Sequence, residues 1–159
     1  MTLDEMMQRA ADQARLVMVG TKRELEPSWL LITGKGDVEI FMTPWGNDRE
    51  KRMVIETMRD VMREKRCTAY SFLTEAWMAH ATAEERKDGE YHGPPASERP
   101  DREECVVTMA ANKAGEHRYQ MFETVRGVDG TCAELRPSSK EQQWTGIFDN
   151  LLDDKRRAS

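Results

Sequence analysis

The chain has 159 residues, 38% apolar and 33% charged, with a net charge of −5 at pH 7. That is the length of one domain, enough to bury roughly 70% of the surface that an unfolded chain exposes. It contains no apolar run long enough for a membrane span, and a net acidic chain draws a polyanion only through a local basic patch.

Thr2 to Glu5 reads as a capping box, with Thr2 capping the third amide and Glu5 reaching back. Behind it Leu3, Met6, Met7, Ala10, Ala11, Ala14, Val17 and Met18 fall on one helical stripe. The spacing predicts a helix to about residue 19, ended by Gly20, with Pro27 blocking any continuation. Its small residues allow another element, a partner or a second copy to approach closely. The 11 methionines suit irregular core gaps, and most lie on expected core faces.

Ser28–Thr33 and Val38–Thr43 read as strands joined by the turn Gly34-Lys-Gly-Asp37, a β-hairpin. Gly-Lys-Gly lacks the spacing and the following helix of a phosphate loop. Asn47 then caps a second helix, whose apolar stripe is Val54, Ile55, Met58, Val61 and Met62. Its other face is charged. That face reads as solvated, or alternatively as an anion-binding surface of Arg59, Arg63, Lys65 and Arg66.

Cys67–Ala79 is the richest strand candidate. Alternation puts Tyr70, Phe72, Thr74, Ala76 and Met78 on one side, and Ala69, Ser71, Leu73, Glu75 and Trp77 on the other. Residues 81–102 are polar and rich in turn formers, a stretch longer than the about 12–15 residues usual for a loop in a compact domain. Glu103–Ala110 and His117–Arg126 read as strands, and Cys132–Leu135 as a short edge strand. Ser138 to Glu141 opens a last helix, with Trp144, Ile147, Phe148, Leu151 and Leu152 as its apolar stripe and residues 154–159 frayed. The expected fold is a single α+β domain of order α-ββ-α-βββ(β)-α. It is two-layered, with a mostly antiparallel sheet of five or six strands and three amphipathic helices on one face. A parallel pairing across the second helix stays open.

No spacing among the three cysteines or the three histidines selects a metal, and no cofactor is implied. No nucleophile elbow is present, and Cys67 and Cys105 look like small apolar residues. The N-terminus lacks the basic and apolar regions of a signal peptide, so a cytoplasmic location with reduced thiols is expected.

Glu75 is the residue that stands out, because a carboxylate in an aromatic-rich strand is costly if buried and unpaired. Either its face is solvated, or it pairs with an arginine, Arg99 or Arg102 being the expected partner. Otherwise it lines a pocket with Trp77, where burial raises its proton affinity. The candidate binding set is therefore Glu75, Trp77, Tyr91, His92, Arg99 and Arg102. Within the loop, Arg99, Asp101, Arg102 and Glu104 are suited to an ion-pair network.

The run Ser-Phe-Leu-Thr-Glu75-Ala-Trp77-Met, followed by Ser97-Glu-Arg-Pro100-Asp-Arg102-Glu-Glu-Cys-Val-Val, resembles small uncharacterised proteins of bacterial and phage genomes. The resemblance spans about a third of the chain and implies no activity. Three functions are weighed. The first is a non-enzymatic binding or regulatory domain, with a protein partner or self-association through the N-terminal helix. The second is a small enzyme with a pocket around Glu75, Trp77, Tyr91 and His92. The third, nucleic-acid binding, is opposed by the net charge.

Overall fold

The computed structural model describes residues 1–78, 84, 86–87, 90–91, 93, 98–138 and 151–152, with the backbone alone for Met78, 86–87 and 90–91. Helix α1 is Leu3–Met18 and helix α2 is Asp48–Glu64. The strands are β1 (Ser28–Ile32), β2 (Val38–Met42), β3 (Ala69–Met78), β4 (Arg86–Lys87), β5 (Glu90–Tyr91), β6 (Glu103–Asn112), β7 (His117–Arg126) and β8 (Cys132–Pro137). The protein is α+β, with one six-stranded antiparallel sheet of order β2-β1-β3-β6-β7-β8. Two short strands, β4 and β5, pair separately inside the long connection.

The caps form as their residue types dictate. Thr2 Oγ1 accepts from the Glu5 amide at 3.1 Å, and Asn47 Oδ1 accepts from the Glu50 amide at 2.8 Å. Among the described residues there are two α-helices. The third expected helix, with its stripe from Trp144 to Leu152, lies outside the described residues except at Leu151 and Leu152, which form a turn, with Leu151 buried in the core beside α2.

The sheet is covered on both faces, which corrects the expected two-layer arrangement. Trp29, Leu31, Tyr70, Phe72, Met109 and Ala111 pack with Ile55, Met58 and Met62 of α2. Their neighbours Leu30, Ala69 and Ala110 meet Leu3, Met6 and Met7 of α1, and Leu73, Val106 and Phe122 meet Ala10, Ala11, Ala14 and Met18. Successive strand residues point to opposite faces, so α1 and α2 lie on opposite sides. The run Ser-Trp-Leu-Leu of β1, buried residue after residue, is the signature of a strand covered on both faces. A parallel pairing across α2 does not occur. Chain passage through α2 brings β3 to the far side of β1, antiparallel, with Leu30 opposite Ser71.

The Met- and Ala-rich stripe of α1 is therefore core rather than a free docking surface, and α1 lies against β3, β6, β7 and β8. Complete burial of side chains such as Met6, Trp29 or Phe72 stabilises by about 1.5–3 kcal/mol each. Cys67, Cys105 and Cys132 are buried free thiols.

Beyond α1 the chain runs along the same sheet face as a strap of residues 19–27. Gly20, at φ +79°, donates to the Cys132 carbonyl at 2.8 Å, and the Cys132 amide donates to Thr21 at 2.9 Å. The strap then inserts Leu25 against Leu73, Val106 and Phe122. At the opposite edge, β2 leaves Val38, Ile40 and Met42 exposed. No helix among the described residues is long and apolar enough to cross a membrane.

Candidate functional site

On the α1 face of β3 the inward row is Ala69, Ser71, Leu73, then Glu75 and Trp77. Helix α1 covers the first three. It ends before reaching Glu75, and there the strap takes over. The strap brings a backbone amide that needs an acceptor, and Glu75 Oε1 accepts from the Leu25 N–H at 3.1 Å. Glu75 thus closes the apolar row and opens a pocket of about 310 Å³ bordered by Glu24, Glu75, Trp77, Glu104, Thr124 and Arg126.

The sheet register assembles these residues. Glu75 lies opposite Val106 and Trp77 opposite Glu104, while Val106 lies opposite Phe122. The same alternation brings Glu104, Thr124 and Arg126 to the face that carries Glu75. A register shift between Val125 and Arg126 marks a bulge at the wall of the pocket. Arg126 Nε donates to Glu104 and its Nη1 donates to the Gly130 carbonyl at 2.9 Å, so Glu104 already has its cation.

Glu75 does not. Among the described residues no cationic side chain forms an ion pair with it, and Arg126 acts on it only from a distance. Its carboxyl is held above the usual range first by burial, with Glu24 and Glu104 adding repulsion, while the Leu25 amide and Arg126 pull the other way. Beneath the pocket Cys105 donates to the Ala76 carbonyl at 3.4 Å, and its burial pushes the thiol up to about 11. Such a thiol is protonated at neutral pH and is a poor nucleophile.

The expected partners of Glu75 are engaged elsewhere. Arg99 is buried and makes two bonds to Asp101, at 2.9 and 3.0 Å. Arg102 places its guanidinium 4.7 Å from the centroid of the Trp77 ring and donates to the Arg99 carbonyl at 3.4 Å. Of the expected ion-pair network the Arg99–Asp101 pair forms, while Arg102 meets the Trp77 ring and Glu104 bonds Arg126 on β7. Tyr91 lies in β5, described by its backbone alone, and His92 lies outside the described residues.

Glu75 and Trp77 therefore share a pocket. Arg102 reaches it through the Trp77 ring, and Arg99 stands one contact further back. Sequence reasoning missed Glu24, Glu104, Thr124 and Arg126 as its walls. For Glu104, Thr124 and Arg126 the signal is the two-residue alternation in β6 and β7, which acquires meaning only once the register across β3, β6 and β7 is known, and Glu24 comes from the strap. Among the described residues no group of three or more His, Cys, Asp or Glu side chains is arranged to hold a metal ion. No protein-family model, no curated protein and no solved structure matches the chain.

Proposed function

We propose that the chain is a non-enzymatic binding domain whose β3 pocket takes a small organic cation, an amine or a guanidinium. The carrying observation is Glu75: a half-buried carboxylate on a pocket wall, held by the Leu25 amide, with no ion-pair partner among the described residues. A buried anion without a counter-charge is unfavourable, and a cationic ligand supplies the missing charge. Glu24 adds a second carboxylate at the rim, and Trp77, 42% exposed, offers an aromatic surface. Arg102 over the indole illustrates the geometry that a guanidinium adopts there.

Agmatine, which carries an amine and a guanidinium, is a suitable probe in calorimetric titration. Saturable binding is expected, weakened at least about tenfold by Glu75→Gln, a loss in keeping with one charge-assisted contact. Binding should strengthen as pH rises through the raised Glu75 value, since only the ionised carboxylate attracts a cation. Agmatine that fails to bind at low ionic strength, or that binds Glu75→Gln equally well, sinks the reading.

The alternative is a small enzyme using Glu75 as a proton acceptor, a role that its raised proton affinity favours. It requires a second reacting group. Cys105 is a weak candidate with its raised thiol, which favours the binding reading.

A further inference from the structure

The opposite face of the sheet carries a second pocket, of about 260 Å³, where the end of α2 meets the turn between β6 and β7. Among the described residues its charged lining is cationic, Arg59, Arg63, Arg66 and Lys113, over a floor of Met62, Cys67, Leu151 and Leu152. We propose that this pocket binds a small phosphate ester.

Three independent observations carry the proposal. The first is Arg59. Its side chain is only 14% exposed, its Nη1 donates to Glu56 at 2.7 Å, and its Nε is buried with no hydrogen-bond partner among the described residues. A buried charged donor left unsatisfied is expensive, and an oxyanion in the pocket satisfies it.

The second is the way α2 ends. The Cys67 amide donates to the Met62 carbonyl at 2.9 Å and the Arg66 amide to the Arg63 carbonyl at 3.1 Å. These are the two bonds of a Schellman closure, with Arg66 at the left-handed position, φ +52°. Glycine is the residue that suits that conformation, and among the described residues Arg66 is the one non-glycine residue with a positive φ. The chain holds a strained arginine where stability favours glycine, and its guanidinium borders the pocket.

The third is charge. Backbone amides already satisfy the Val61, Met62 and Arg63 carbonyls at the end of α2, so the cations are not needed there. Arg63 reaches Asp60 only at 3.8 Å, and Arg66 and Lys113 form no ion pair among the described residues. Lys113 comes from a different element, anchored by its amide to the Thr68 carbonyl at 2.9 Å, so two separate segments deliver charge to one place. Lys65, by contrast, bonds Glu39 at 3.0 Å and lies outside the pocket lining. A concave site of this volume suits a small ligand rather than a nucleic-acid backbone.

The test uses the full chain and phenyl phosphate, whose ring matches the apolar floor. Calorimetric titration at low ionic strength should show saturable binding, accompanied by a shift of the Arg59 Nε–H resonance. The variant Arg66→Gly should melt roughly 2–4 °C higher as strain is relieved, yet bind at least about tenfold more weakly. Lys113→Met, an exposed change, should lose affinity without a change in melting temperature. No binding to the unmodified chain overturns the proposal. So does unchanged affinity in the Arg66→Gly, Lys113→Met double variant, or binding of a single-stranded oligonucleotide where phenyl phosphate fails.

Discussion

Glu75 combines two demands that pull its proton affinity in opposite directions. The Leu25 amide favours the ionised form, while burial among apolar neighbours favours the neutral one, and burial is the larger effect. Folding therefore prefers the protonated carboxyl. Stability linked to Glu75 is fully present below the ordinary carboxyl range and declines as pH rises through the raised value. Glu75→Gln keeps an oxygen for the Leu25 amide and removes the charge. Urea midpoints should coincide for the two chains near about pH 4 and favour the variant near about pH 8. A variant less stable than the parent at the higher pH contradicts this account. Glu75 and Trp77 were legible in the sequence because a charge interrupting an aromatic strand violates the local pattern. Arg126 and Glu104 were not, because nothing local marks residues that meet across strands.

At the scale of elements, α1 approaches the sheet through alanines at its centre, between Met7 and Met18, and α2 through longer side chains throughout. Ala14 is fully buried in one cluster with Leu73, Val106 and Phe122. Ala14→Leu should cost about 1–3 kcal/mol through overpacking, read as a lower urea midpoint with an unchanged slope. Asn47→Ala should cost about 1 kcal/mol by orphaning the Glu50 amide that the cap now satisfies. Both helices and five of the six strands of the main sheet were recognisable from periodicity and turn chemistry, and β8 as a short edge segment. The face on which each helix lies was not recognised. The information resides in β1, where Trp29, Leu30 and Leu31 are all buried, and a continuous apolar run in so short a segment fits one-sided and two-sided cover alike.

At the scale of the molecule, α1 is one of three layers rather than an appendage. A chain lacking residues 1–20 exposes Leu73, Val106, Ala110 and Phe122 at once. It should lose cooperative thermal unfolding and aggregate, whereas an α1 serving only as a docking arm leaves behind a folded monomer. The two pockets occupy opposite faces and are served by opposite ends of β3, with Cys67 just before one end and Glu75 near the other.

The hydrogen bond from the Leu25 amide to Glu75 makes the strap a spectroscopic indicator. An amide proton shared with a carboxylate resonates downfield and exchanges slowly with solvent. It moves upfield when that carboxylate takes up a proton. The Leu25 cross-peak in a pH titration therefore traces the charge state of a side chain fifty residues away in sequence. Deuterium uptake at that one amide reports when the strap lifts from the sheet, without any label placed in the pocket.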